Sequence, residues 1–329
     1  MMKPSIFDVA KRAGLSVVTV SRVLNGAGTV REKNRLKVLE AIRELDYRPS
    51  AAARSLARGR TGTIGLILTT LHDSFFDSVA KEINDLLALQ GYYLAISVST
   101  GLGEQGEHYM MQEDRLDGLI LLSPVEEKEF VDELAKRDIP YVLIDNQLPQ
   151  HSAEAISIDN AYGGYIAGQH LLELGHRRIV HVCGDELFLS TRERRSGFVQ
   201  ALAEAGVEPI VEQGTYSIGF GYEIGQRWLR EGTLPEAVFA GDDYIAIGLI
   251  NALTNGGVRI PQDLSIIGYD DQIIASQLHP LLTTVRQPAD EIARTAVELL
   301  LNKMNQQEQS VQGMRIRPQL MIRESTAVR

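Results

Sequence analysis

The sequence predicts an all-α helix-turn-helix unit followed by a larger α/β body built on parallel sheets. Three observations carry this reading. The first 60 residues hold short helical patterns punctuated by capping residues and glycine, the remainder alternates strand-like with helix-like runs, and the charge divides at the same place. Residues 1–60 contain 13 Lys and Arg against 5 Asp and Glu, a net +8, whereas the rest contains 20 against 38, a net −18. Such a split joins a polyanion-binding module to a part with another task.

At 329 residues the chain is long enough for two or more domains, and 44% hydrophobic with 23% charged residues is ordinary for a globular protein. Apolar runs such as Thr63–Leu68 and Leu119–Leu122 fall far short of the roughly 18 residues a membrane span needs. The N-terminus lacks the apolar stretch of a secretory signal, and Cys183 is the only cysteine, so no intrachain disulfide forms. A cytoplasmic location without a membrane partner is expected.

Ser5-Ile-Phe-Asp8 has the capping-box pattern, with Asp in place of Glu, and opens a helix from about Ile6 to Ala13 that Gly14 ends. Ser16 caps a second helix whose apolar Val20, Val23 and Leu24 recur at helical spacing. Thr29-Val-Arg-Glu32 reads as a second capping box before a third helix, with Leu36, Val38, Leu39, Ile42 and Leu45 as its buried stripe. In a unit of this kind the second helix enters the DNA major groove, which turns Val17, Val18 and Arg22 to the bases. Arg22 offers guanine a bidentate contact, while the valines pack on thymine methyl groups or exclude other partners. Ser5, Ser16, Thr19, Ser21, Asn25 and Arg31 carry donors suited to phosphate, which set register without reading sequence. Taken singly, each also suits a helix cap or a solvated surface.

After Arg58-Gly-Arg-Thr-Gly62, a linker by composition, strands are expected at Thr63–Leu68, Tyr93–Val98, Gly118–Leu122, Tyr141–Ile144, Ile179–Val182, Ala237–Ala240 and Ser265–Gly268. Amphipathic stretches at Phe76–Leu89, Tyr162–Leu174, Gly197–Ala205 and Ile245–Asn255 lie between them. This alternation means parallel strands with helices on both faces, in one large doubly wound sheet or in two similar lobes. Ligands in open α/β sheets sit beyond the carboxyl ends of the strands. That rule selects Phe75, Phe76, Ser123 and Asp145, then Ser190, Arg194, Tyr216, Asp242 and Asp270. Aromatics that stack, an arginine, and carboxylates that accept hydroxyl protons suit a sugar or similarly polar small molecule. The competing roles are core packing for Phe75 and Phe76, a surface helix charge for Arg194, and a strand-end cap for Asp270.

Other motifs carry less. Gly219-Phe-Gly221-Tyr-Glu-Ile-Gly225 has one residue too many for a dinucleotide fingerprint and reads as a turn and helix start. His170, His176 and His181 are not at ligand spacing on one helical face, and one cysteine cannot complete a structural zinc site, so no metal is expected. No nucleophile elbow, P-loop or paired-cysteine motif is present. Neither a catalytic residue nor a cofactor is expected. Asp242-Asp243 and Asp270-Asp271 could serve as acid and base, but hydroxyl recognition accounts for them more economically.

Asp8-Val-Ala-Lys-Arg-Ala-Gly-Leu-Ser16, Thr19-Val-Ser-Arg-Val-Leu-Asn25 and Tyr47-Arg-Pro-Ser50 resemble the headpiece of the LacI/GalR family of bacterial transcription repressors. Ala51-Ala-Ala-Arg-Ser-Leu-Ala57 resembles the family's hinge helix, and Leu56 aligns with the leucine that wedges into the minor groove. The resemblance places Tyr47, Ser50, Ala53 and Arg54 at the DNA as well. Eight or so residues cannot hold a helix alone in water, so the hinge is expected to order only with DNA and a second subunit.

Ile158-Asp-Asn160, Glu173-Leu-Gly-His176, Gly197-Phe198, Ile267-Gly-Tyr-Asp270 and Leu282-Thr-Thr284 resemble the family's ligand-binding core, which is similar to periplasmic sugar-binding proteins. This implies two lobes with three crossovers around a cleft. The implied division is a headpiece at 1–49, hinge and linker at 50–60, and a core at 61–329, with one lobe at about 61–160 and 288–316 and the other at about 161–287 and 317–329. Within it, Arg194 and Asp270 match recurrent effector contacts and Tyr216 matches a stacking aromatic. Two departures stand out. Phe188 sits where purine-responsive members carry a polar residue, which disfavours a purine, and the helix at Glu104–Leu116 is about two residues short.

The expected whole is a homodimeric repressor on a near-palindromic double-stranded operator, controlled by a small polar effector of carbohydrate type. One rival is a small-molecule-binding protein or enzyme whose basic N-terminus merely caps the fold. Another replaces the small effector with a phosphorylated protein partner. Dimer versus tetramer stays open, although no leucine-heptad tail follows the last strand.

Overall fold

The computed structural model describes residues 4–24, 29–47, 60–71, 73–99, 108–111, 115–306 and 313–329. The chain forms two compact units, Met1–Thr63 with Met110–Asp117, and Ile64–Tyr109 with Gly118–Arg329.

In the first unit, helices α1 (Ile6–Ala13), α2 (Val17–Leu24) and α3 (Glu32–Glu44) enclose Val9, Ala10, Val20, Val23, Val38 and Ala41. The capping box at Ser5 forms in both directions: the Ser5 amide donates to Asp8 Oδ2 at 2.8 Å, and the Asp8 amide donates to Ser5 Oγ at 3.4 Å. Gly14 ends α1 at φ +66°, a left-handed conformation that glycine adopts without a Cβ penalty. Two expectations for α3 do not hold. Its N-cap is Arg31, which makes no side-chain capping bond, so the box at Thr29 is absent. Leu36 and Leu39 are 59% and 43% exposed. The stripe that faces inward runs through Val38, Ala41, Ile42 and Leu45, a three-and-four spacing, and the two leucines lie off that phase.

The second unit carries two six-stranded sheets. The first has the order β11-β5-β4-β3-β1-β2, from β1 (Thr63–Leu68), β2 (Tyr93–Val98), β3 (Gly118–Leu122), β4 (Tyr141–Ile144), β5 (Ala155–Ile158) and β11 (Met314–Ile316). The second has the order β12-β10-β9-β8-β6-β7, from β6 (Ile179–Val182), β7 (Ile210–Glu212), β8 (Ala237–Ala240), β9 (Ser265–Asp270), β10 (Thr283–Arg286) and β12 (Gln319–Met321). The ladders β1–β3, β3–β4, β4–β5, β5–β11, β6–β7, β6–β8, β8–β9 and β9–β10 are parallel, as the alternation of elements requires, and β12 runs antiparallel to β10 at an edge. Two lobes result. The chain passes between them after β5, after β10 and between β11 and β12, which are the three crossovers expected.

The central strands are near-continuous apolar runs because both faces are covered. On β8, Val238 and Ala240 join a cluster with Ile224, Trp228 and Leu249, while Ala237 and Phe239 join Leu171 and Phe198 on the opposite face. Helices α8 (Ile218–Glu231) and α9 (Asp243–Asn255) supply the former face, and α6 (Asn160–Glu173) with α7 (Leu189–Glu204) the latter. In the first lobe α4 (Ser74–Leu89) packs on α10 (Ala289–Met304), and Ile292, Ala296 and Leu300 of α10 meet Val79, Ile83 and Leu87 over the strands. Beyond the expected elements lie β5, β7, β10, β11, β12, α5 (Glu127–Lys136) and α10, while the helix start expected at residues 219–225 is the first part of α8. Of the stretch at Glu104–Leu116, the described residues Tyr109–Met111 form a 3₁₀ turn.

Candidate functional site

Helix α2 presents two candidate base readers on one exposed face, since Val18 is 61% exposed and Arg22, four residues on, is also exposed. Val17 is partly buried against the core of its unit and Ser21 is half-buried. Ser16 accepts the Thr19 amide at 3.2 Å and pairs with the Thr19 hydroxyl at 2.9 Å, so both hydroxyls already serve the cap of α2. Ser5 is spent likewise on α1, and Arg31 is exposed. Tyr47 is largely buried, its ring packed in the core of the unit. Asn25, Ser50, Ala53, Arg54 and Leu56 lie outside the described residues.

All nine effector candidates line one cavity of about 220 Å³ in the second unit. Strand ends bring them there. Ser123 and Asp145 follow β3 and β4 at φ +48° and +54°, and Asp270 ends β9 at φ +101°. Left-handed backbone at three non-glycine residues on one cavity wall is strain concentrated at a site. Ser123 Oγ donates to Asp145 Oδ2 at 2.6 Å, which fixes the carboxylate across the β3–β4 seam. Phe75 and Phe76 belong both to the core and to the cavity wall, their rings 6.1 Å apart.

Arg194 is the centre of the other wall and is only 6% exposed, which rules out a surface charge. Its Nε donates to Asn160 Oδ1 at 3.0 Å, one terminal nitrogen donates to the Gly241 carbonyl at 2.7 Å, and the other lies 3.6 Å from Asp270 Oδ1. Its guanidinium carbon stacks 3.7 Å above the Tyr269 ring. Burial opposes its charge, yet the phenols and carboxylates around it, Asp270 and Asp145 among them, hold its pKa above the ordinary value. Tyr216 bonds through its hydroxyl to Thr191 and leans on Phe188, with ring centroids 6.4 Å apart. A Cβ at Gly184 would sit 2.2 Å from the Tyr216 ring, so this ring position requires glycine there.

The carboxylates are in electrostatic conflict. Burial first, then the facing Asp270, raises Asp242 well above the usual range, and burial raises Asp145 and Asp270. At Asp73, burial and Asp270 push the carboxyl up to about 7. Asp73 was not among the expected residues, although an Asp before a helical run just beyond a strand is a cap signal at the right end of the sheet. Thr69, Thr70, Tyr244 and Gln287 also line the cavity unforeseen, and Gln287 donates to Asp270. Asp243 does not line it: its two oxygens accept Thr284 Oγ1 at 2.6 Å and the Gln272 amide at 2.7 Å, a structural role. Among the described residues no group of three or more His, Cys, Asp or Glu is placed to hold a metal ion, and no helix is long and apolar enough to cross a membrane.

Residues 5–50 match the family described as bacterial regulatory proteins, lacI family, and residues 169–326 match a periplasmic binding protein-like domain. The chain is 37% identical to the HTH-type transcriptional repressor PurR of Erwinia tasmaniensis, over 98% of this chain and 97% of that protein. Among solved structures, the lac repressor dimer bound to operator and the anti-inducer ONPF superposes with a TM-score of 0.87 at 28% identity, over 99% of this chain and all of the other. A LacI family transcriptional regulator from Enterococcus faecium with bound ribose gives 0.75 at 29% identity, over 81% of this chain and 99% of that one.

Proposed function

The chain belongs to the LacI family of bacterial regulatory proteins and is a DNA-binding transcriptional regulator of that type; from this premise we propose that it is a cytoplasmic homodimeric repressor released or engaged by a small carbohydrate-like effector. Residues 1–49 read a near-palindromic operator, 50–60 form the hinge, and 61–329 sense the effector and pair the subunits. The observation that carries the sensing half is the cavity in which Arg194 of α7, Asp270 at the end of β9 and Tyr216 of the loop before α8 converge. The reading half rests on the exposed Val18–Arg22 face of α2 in a segment of net +8.

One headpiece contacts only a few base pairs, so two related by a dyad supply operator-level affinity. Effector held between strand ends of both lobes favours one lobe arrangement, and the hinges report it to the headpieces. Carboxylates and a fork-shaped guanidinium beside aromatic faces are the groups that bind sugar hydroxyls and the apolar face of a sugar ring.

The test is footprinting of the full-length protein on genomic fragments, which should protect a discrete near-palindromic site. Uniform retardation of every fragment overturns the regulator reading. Arg22→Ala should reduce the preference for that site over random DNA by about 1–3 kcal/mol and leave weak, salt-sensitive binding. Unchanged discrimination removes Arg22 as the reader.

A further inference from the structure

The cavity is lined by five carboxylates, Asp73, Asp145, Asp185, Asp242 and Asp270, against one cation, Arg194. That cation is committed before any ligand arrives, to Asn160, to the Gly241 carbonyl and to Asp270. Three helices begin at the cavity, and a helix N-terminus is ordinarily a ready anion site. Two of them are capped by a carboxylate of the chain itself, and the third, whose N-cap Phe188 supplies no side-chain acceptor, has its first amide taken. Asp73 Oδ1 takes the Phe75 and Phe76 amides of α4 at 2.8 and 3.3 Å. Asp242 Oδ1 takes the Ile245 amide of α9 at 2.7 Å. Gln147 Oε1 takes the Leu189 amide that opens α7 at 2.8 Å.

From the excess of carboxylates over one committed cation, together with the carboxylate caps on two of the three helix starts, we propose that the cleft selects a hydroxyl-rich ligand without negative charge and rejects phosphorylated or acid forms of the same compound. The inference rests on the effector reading above and deepens it. A phosphate brought to this wall finds no unmatched cation, and it would add negative charge to a cluster in which burial, joined at Asp73, Asp242 and Asp270 by repulsion from other carboxylates, already holds Asp73, Asp145, Asp242 and Asp270 above the usual carboxylate range. A hydroxyl finds the reverse. Asp73 and Asp242 each spend one oxygen on a helix and keep the second as an acceptor on the cavity wall, and Asp242 is only 3% exposed. The volume of about 220 Å³ lies below the ~300–1,000 Å³ of sites for drug-sized ligands, which suits one sugar ring and its substituents.

The experiment is calorimetric titration of the full-length protein with matched trios: D-ribose, D-glucose and D-galactose, each beside its terminal phosphate and its aldonic acid. At least one neutral sugar should bind, with its phosphate and acid at least tenfold weaker. In the double variant Asp73→Asn, Asp242→Asn, where asparagine keeps both caps, the gap between that sugar and its phosphate should narrow at least tenfold. A phosphate or acid that binds as tightly as its parent overturns the proposal and leaves the effector reading standing. A gap unchanged in the double variant overturns the assignment of selectivity to these two carboxylates. Should no member of any trio bind to protein that still footprints its operator, the carbohydrate reading fails and this proposal falls with it.

Discussion

Asp73 shows how a single residue ties the sensing cleft to pH. Its carboxyl stands at about 7 in the folded chain against 3.8 for the free side chain, because burial and then Asp270 disfavour its charge, with Asp242 adding to the negative field and Arg194 opposing it. The folded state therefore holds more protons than the unfolded state between those two values. By linkage, the stabilisation from this group is complete below pH ~4 and disappears as pH rises through 7. Asp73→Asn removes the titration while keeping the cap, so the stability difference between variant and wild type should shift in the variant's favour from pH 5 to pH 8. Urea midpoints at the two pH values measure this, and a difference that does not change with pH shows that Asp73 is ionised throughout. A sugar hydroxyl donating to Asp73 favours the ionised form, so wild-type affinity for a neutral sugar should also strengthen as pH rises toward 8, a trend the variant lacks.

At the scale of elements, the site rests on a helix contact made of glycines. A Cβ at Gly164 of α6 would lie 1.9 Å from the carbonyl oxygen of Arg194, and one at Gly197 of α7 would lie 1.7 Å from that of Ala161, so the two backbones touch directly. This contact seats Arg194 beside Asn160 of α6. Gly164→Ala should cost about 1–3 kcal/mol through overpacking. It should also weaken effector binding by more than the stability loss explains, since α7 carries the guanidinium away with it. Gly219→Ala, on α8 with nothing within 4 Å of the new methyl, is the control and should be near neutral in both assays. The same packing explains what could be read from sequence. Six strands, β1 to β4, β6 and β8, have the bounds expected from their apolar runs, whereas β7, β11 and β12 have three residues each and too short a pattern to register. Helix α7 was legible only from Gly197 because its first two turns bury Ser190, Thr191 and Arg194 toward the cavity, so polar residues occupy the inward face. Helix α8 was legible only as a turn and helix start at residues 219–225, and its glycines serve packing: a Cβ at Gly221 would meet the Ile245 carbonyl of α9 at 2.2 Å. Periodicity fails where the buried face lines the cavity or makes a backbone contact, whereas the strand-end rule gathers its nine candidates at one cavity because topology alone fixes it.

For the whole molecule, the charge asymmetry and the cleft describe two binding reactions on one chain, and regulation requires that they be coupled. The net +8 of residues 1–60 gives DNA affinity that falls steeply with salt, whereas a neutral sugar in a buried cleft is nearly indifferent to salt. The two can therefore be varied independently. If effector changes operator affinity by some factor, operator must change effector affinity by the same factor, because the coupling free energy belongs to the cycle and to neither ligand. Couplings of this kind are typically about 1–3 kcal/mol, or 5–150-fold. Titrating effector into the protein with and without saturating operator, and operator with and without saturating effector, should return one factor at each salt concentration. The factor differs from one in either case, falling below one for an inducer and rising above one for a corepressor. A factor of one in both directions, with both ligands bound, means that the cleft senses without regulating and removes allosteric control from the assignment.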